Sequence, residues 1–382
     1  MSRRLERKIE AVLASRLKRP CLFFPSGRLA LYAALQTWLE PGNRILMSPV
    51  TDDVIFFTVL AAGLRPVMAP LSPDDGNIEP SLLQDGAWKS LDGVLTTNLY
   101  GLPDRVLDLR SRCDRLGIPL IEDAAHAIQT VVDGRPIGTF GEVAAFSLSK
   151  QVGAACGGIL AFSDEADRAE LERLRDAAIV AGERRERRIR VAAVYAEALV
   201  VGLHLIWPVR WLRRRLGLVE RRTHRMPLRP VELERAVAAG QGLSGFHAWM
   251  RVDRHDYRVQ PSPILLERAL RRLRHLDADE ARRVEAVDRL RALPMVAPAV
   301  CKGDPQPLFR VPFLVEDRVS LIAKLERRIR SVGYIFDPPL DDYAGPQFAE
   351  PSPSPDVARS WARQVFPVDP LAADKVMPTL LE

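Results

Sequence analysis

Three short stretches carry side chains whose types and spacing suit chemistry on a carbonyl compound. In VAAFSLSKQVGAACGG (143–158), Lys150 follows a strand-like apolar run and precedes small residues that leave room for a bulky group. The chain holds seven lysines against 48 arginines, so this lysine departs from its usual way of placing positive charge. A lysine desolvated at a strand end presents the neutral amine that forms a Schiff base with an aldehyde. Ser147 completes an S-x-x-K tetrapeptide that would set a hydroxyl and an amine around one phosphorylated cofactor. Taken alone, that tetrapeptide is common and most lysines are solvated surface charges.

In IPLIEDAAHA (118–127) an apolar strand runs into Glu122 and Asp123, with His126 just beyond. A carboxylate at a strand end suits a buried cation such as a protonated pyridine nitrogen. The plain alternative makes Asp123 the N-cap of a helix over AAHAIQ, and His126 a satisfied core or surface histidine. In FFPSGRLALYAAL (23–35), Ser26 and Gly27 open a helix after a proline. The first-turn N–H groups of such a helix bind phosphate, although Ser-capped helices are also common. The conjunction is what counts: a phosphate cradle, a strand-end Asp123, and S-x-x-K ending 27 residues later at Lys150.

These residues need a scaffold that gathers them. From about 20 to 165, NRILMSP, RPVMAP, LDGVLTTN, IPLIED, EVAAFSLS and GGILAFS read as strands, alternating with helical stretches such as GRLALYAALQTWLE and RVLDLRSRCDRLG. Such alternation predicts an α/β domain with a mostly parallel sheet and ligands at the carboxyl ends of its strands. Residues 1–19 read as a basic amphipathic helix without the apolar core of a secretory signal. Residues 236–382 read as a smaller α+β domain. It includes one long charged helical stretch from Pro263 to Leu293, a strand in LFRVPFLV, a helix ending at Gly333, and a helix-to-strand passage in SWARQVFPVDP.

The 382 residues suggest two domains. Four scattered cysteines without ligand spacing fit a reducing cytoplasm and no metal site. A net charge of +6 favours anionic partners; no nucleic-acid motif accompanies it. Residues 166–235 stand apart as a helical insert. Its apolar run VAAVYAEALVVGLHLIWPV (191–209) lies between arginine-rich flanks and is interrupted by Glu197 and His204 on one helical face. The interruption favours a packed or oligomer-contact helix over a bilayer span, and the arginines keep peripheral membrane contact through 191–215 as an alternative.

Together PSGRLAL, PVTDDVIFFTVLAAGLRPV, NLYGLPD, IEDAAHA, GRPIGTFGEVAAFSLSK, GG, DYRV and FDPPLDDYAGPQ resemble, in this order, the DegT/StrS aminotransferases. These are fold-type-I enzymes that use pyridoxal 5'-phosphate, mainly on nucleotide-linked keto-sugars. The resemblance implies that Lys150 carries the cofactor and then shuttles the proton, that Asp123 holds the pyridine nitrogen, and that His126 contacts the ring. It places Ser147 and the Ser26-Gly27-Arg28 turn at the phosphate. It also implies a homodimer in which the segment ending DYR reaches the neighbouring subunit's phosphate. The dehydratase branch has histidine in place of this lysine, so Lys150 argues against that branch.

Three positions depart from the family. Asp52 stands where an aromatic usually stacks on the ring, Asp256 where an Asn contacts phosphate, and Arg28 where Thr is frequent; Arg28 would offset Asp256 by pairing with it or with the phosphate. The insert is about one helical hairpin longer than usual. The expectation is a cytoplasmic aminotransferase moving nitrogen from glutamate or glutamine to a nucleotide- or lipid-linked keto-sugar. The alternative is a relative without transaminase activity that acts as a membrane- or partner-binding scaffold.

Overall fold

The computed structural model describes residues 1–203, 205, 208, 215, 225–252, 255–325 and 333–381. Seven strands form the main sheet: β1 (Cys21–Phe24), β2 (Arg44–Met47), β3 (Arg65–Met68), β4 (Gly93–Thr96), β5 (Leu120–Asp123), β8 (Val143–Ser147) and β9 (Gly158–Phe162). A small hairpin, β6 (Val131–Val132) with β7 (Arg135–Pro136), stands between β5 and β8. The sheet order is β1-β9-β8-β5-β4-β2-β3. Strands β2, β3, β4, β5 and β8 pair in parallel, and β9 runs antiparallel between β8 and β1.

The strands are short and apolar because both faces of the sheet are covered. Alternate residues feed opposite cores. Leu22, Phe24, Ile45, Met47, Ile121 and Ala145 pack with the Gly27–Trp38 and Asp53–Ala61 helices and with Phe246 and Trp249. Phe23, Leu46, Val94, Leu120, Ala144 and Phe146 pack with the Ser2–Leu17, Val106–Leu116 and Pro263–Arg274 helices. Polar caps start two of the helices: Ser26 Oγ accepts the Leu29 N–H at 3.3 Å, and Asp52 accepts the Val54 N–H at 3.1 Å.

A third core gathers the two-stranded antiparallel sheet of β10 (Val311–Leu314) and β11 (Val365–Val368) with the Leu276–Leu290 and Pro355–Gln364 helices. Here the structure differs from the sequence reading. The stretch from Pro263 to Leu293 holds two helices separated at His275 rather than one. Leu265, Leu266 and Leu273 belong to a main-sheet core, whereas Ala286, Val287 and Leu290 belong to the C-terminal core, so the break lets one stretch serve two cores. The helix expected to end at Gly333 is described over Arg318–Leu325, and its end lies outside the described residues. Within the insert a helix spans Arg184–Gly202, while His204 and most of the following basic run lie outside the described residues. Among the described residues no helix is long and apolar enough to cross a membrane.

One buried ion pair ties the loop after β2 to distant chain. Arg225 Nη1 meets Asp53 Oδ1 at 2.6 Å, with side-chain exposures of 2% and 4%. The guanidinium also donates to the carbonyls of Pro49, Thr51 and Phe336, and the Met226 N–H donates to Asp53 Oδ2 at 2.6 Å. Removing one partner of such a pair strands a buried charge at about 3–5 kcal/mol. Arg225→Ala is therefore expected to lose that much in urea unfolding, and Asp53→Ala/Arg225→Ala less than the sum of the two single changes. A single variant within 1 kcal/mol of wild type, on the same scale, would show that the clamp contributes little.

Candidate active site

The parallel strands end along one edge, and a cavity of about 770 Å³ lies there. Ser26, Gly27 and Arg28 line it from the start of the Gly27–Trp38 helix, Asp123 and His126 from the end of β5, and Ser147 and Lys150 from the end of β8. Seven of the eight residues expected to hold the cofactor thus share one cavity, although 124 positions separate Ser26 from Lys150. The eighth, Asp256, does not line it.

Asp123 is 7% exposed, and its carboxylate accepts the Ala125 N–H at 2.9 Å. Burial pushes this carboxyl up to about 7, outweighing the Ala125 N–H and the positive charge of Lys150, which pull it down. Residues 124–130 form turns, so Asp123 closes a tight turn and does not cap a helix over AAHAIQ. His126 is buried beside it, with Nδ1 accepting the Tyr100 N–H at 3.4 Å and the ring stacked 4.7 Å from Phe309. Burial, then the positive charges of Lys150 and Arg310, holds the imidazole well below its ordinary range, so it is neutral at pH 7.

The Ser26-Gly27 turn approaches β8 and β9 closely because glycine permits it. A Cβ on Gly158 would fall 2.4 Å from Gly27 N, and one on Gly27 would meet Ser147 Cβ at 3.2 Å. Ser147 Oγ lies 3.0 Å from Ser149 Oγ. First-turn N–H groups have no acceptor within their own helix. Backbone donors and two hydroxyls thus form one rim of the cavity.

Arg28 donates to the Met250 carbonyl and lies over the Tyr257 ring, 5.2 Å from its centre. Burial raises the Asp256 carboxyl, but the Arg258 guanidinium at 2.8 Å, the Arg258 N–H and nearby His247 outweigh it and hold the group below the usual range. Asp52 lines the cavity with its carboxylate turned to the Val54 N–H.

Lys150 is half-buried, and its Nζ stands 4.2 Å from the centre of the Tyr334 ring. The sequence reading gave it only small neighbours; the aromatic arrives from 184 residues further along. Tyr334 adopts a left-handed backbone (φ 66°), and Tyr100 Oη donates to its carbonyl at 2.5 Å. Left-handed non-glycine residues concentrate where surrounding structure over-determines them. Tyr100 is itself left-handed (φ 63°), in a loop held by buried side chains. Asp104 accepts the Thr97, Asn98 and Ile78 N–H groups, and Asn98 Nδ2 donates to the Asp123 carbonyl at 3.1 Å. NLYG carried a family signal but no assigned role. Tyr334 carried no signal at all.

The family model for DegT/DnrJ/EryC1/StrS aminotransferases matches residues 2–198, just over half of the chain. Among curated proteins, GDP-perosamine synthase of Vibrio cholerae is 28% identical over 162 residues, 42% of this chain and 44% of that protein. The dTDP-3-amino-3,4,6-trideoxy-alpha-D-glucose transaminase of Streptomyces venezuelae is 33% identical over 123 residues, 32% of each chain. The chain thus spans less than half the length of these curated relatives. Helicobacter pylori PseC, an aminotransferase of pseudoaminic acid biosynthesis, superposes with a TM-score of 0.66 at 16% identity, over 99% of this chain and 91% of that one. A DegT DnrJ EryC1 StrS aminotransferase from Brucella abortus gives 0.65 at 18%, over 99% and 89%. At these identities the solved structures establish the fold, a fold-type-I arrangement with a mostly parallel seven-stranded sheet.

The Asp123 environment has a measurable consequence. Its folded value, about 7, lies above that of the unfolded chain, so the folded state binds its proton more tightly. Stability is therefore lost as pH rises from about 4 to 7 and stays lower above that window. Asp123→Asn retains the acceptor for the Ala125 N–H and removes the charge. In cofactor-free protein at pH 8 it is expected to be more stable than wild type, by up to about 4 kcal/mol, with the gain vanishing near pH 4. Equal or lower stability of the variant at pH 8, by denaturant titration, would contradict the environment described.

Proposed function

Since the chain belongs to the DegT/DnrJ/EryC1/StrS aminotransferase family, we propose that it is a pyridoxal-phosphate-dependent aminotransferase. It moves an amino group from an amino acid, glutamate or glutamine, to a keto-sugar linked to a nucleotide or a lipid. The observation that carries this reading is one cavity holding a lysine amine, a buried carboxyl raised towards neutrality and a rim of N–H and hydroxyl donors. That donor set fits a phosphorylated aldehyde with a basic ring nitrogen.

Pyridoxal phosphate, when bound, supplies the aldehyde for Lys150 and a ring that withdraws electrons from the reacting carbon. Everything else falls to the protein. The Asp123 carboxylate would hold the protonated ring nitrogen, because a buried carboxylate is stabilised by a cation at contact distance. The Ser26-Gly27 turn, with Ser147, would bind the phosphate through helix-terminal N–H groups and a hydroxyl. Neutral His126, aligned by the Tyr100 N–H, would flank the ring. Lys150 Nζ would take the proton from the donor's Cα and return it at the acceptor carbon, with the Tyr334 ring limiting where the amine swings. Asp256, outside its own chain's cavity, would face a partner's phosphate site in a homodimer, its charge offset by Arg258.

The relatives' names support a sugar acceptor: one makes GDP-perosamine and another a dTDP-amino sugar. Asp52 and Asp256, which favoured a scaffold, are each engaged locally, one at a helix cap and one with Arg258.

The reading is tested by adding pyridoxal phosphate to the purified protein and following visible absorbance. Wild type is expected to turn yellow, borohydride to fix the cofactor on the peptide containing Lys150, and glutamate or glutamine to bleach the band. Lys150→Ala should show none of the three. A wild-type protein that stays colourless, with no cofactor retained on a desalting column, would overturn the assignment.

A further inference from the structure

The Arg184–Gly202 helix is used least by the proposed chemistry, and it has three distinct sides. Glu186, Arg190, Val194 and Glu197, at helical spacing, form a wall of the cavity, and Arg190 Nη2 donates to the Ala155 carbonyl at 3.0 Å. A second side meets the Pro263–Arg274 helix: Val191 and Val194 pack against its core, and the Arg268 guanidinium lies 5.9 Å from the Tyr195 ring centre. The third side faces outward with large apolar residues. Ile189, Leu199 and, just past the helix end, Leu203 are 55%, 61% and 57% exposed. Ile189 also lines the cavity, so the outward side reaches its rim.

In the sequence, arginines precede and follow this apolar run. Arg184, Arg185, Arg187 and Arg188 are exposed in the first turns, with Glu183 and Glu186 among them. Beyond the helix, residues 210–222 hold six arginines and one glutamate. An apolar helical side whose first turns carry exposed arginines fits a helix lying in the headgroup region of an anionic bilayer. A second copy is the poorer occupant. A two-fold contact sets the same face against itself and would bring the Arg184–Arg188 clusters of both copies to one interface, whereas anionic lipid neutralises them.

We propose that the Arg184–Gly202 helix docks this protein on an anionic lipid bilayer through Ile189, Leu199 and Leu203, which sets the cavity rim at the membrane surface. The test is sedimentation of the full-length protein with vesicles of phosphatidylcholine and phosphatidylglycerol, beside pure phosphatidylcholine. Wild type is expected to pellet with the anionic vesicles at low salt and to be released at high salt. Leu199→Glu/Leu203→Glu is expected to pellet about tenfold less or lower while taking up pyridoxal phosphate as wild type does. Wild type remaining in the supernatant at low salt would overturn the proposal, as would equal pelleting of the double variant. So would a double variant that pellets like wild type but loses self-association, which would mark the face as a contact between copies. A colourless protein that still pellets would sink the aminotransferase reading and leave docking standing.

Discussion

A carboxyl group buried at the end of a parallel strand is the constraint around which the rest of the site is arranged. Asp123 accepts the Ala125 N–H, and its backbone carbonyl is held by Asn98. Burial nevertheless keeps its charged form disfavoured. A fold tolerates that only where something offsets it, and the proposed offset is a cationic ring nitrogen. The Asn98–Asp104 network and the Tyr100 loop hold the turn that carries Asp123 and His126. The close approach allowed by Gly158 places the donor rim in the same cavity.

Much of this was legible in the sequence because it is local. Strands β5 and β8 end in polar residues at Asp123 and Ser147, and Ser26 follows β1 at the cap of the Gly27–Trp38 helix. Periodicity and capping chemistry are properties of adjacent residues, so a single chain reveals them. Parallel alternation then implies that all those strand ends share one edge of the sheet, which brings Ser26, Asp123 and Lys150 together without any contact being known.

What the sequence did not reveal depends on chain meeting chain over long separations. Tyr334 reaches Lys150 from the C-terminal segment, and no spacing rule links the two. Arg225 is one arginine among many in its region, yet it is buried on Asp53, because only tertiary packing decides which cation is desolvated. The break at His275 likewise follows from two cores competing for one amphipathic stretch. The apolar run after Arg190 has a helical period, but period alone does not say which side would face a cavity and which would stay exposed.

The central claim is that Asp123 is buried in order to hold a cation on the cofactor ring. The most direct measurement is the nitrogen-15 chemical shift of pyridoxal phosphate labelled at the ring nitrogen and bound to the protein. A protonated-nitrogen shift in wild type, moving to the unprotonated position in Asp123→Asn, is the result this account predicts. An unprotonated nitrogen in wild type, or the same shift in both proteins, would contradict it.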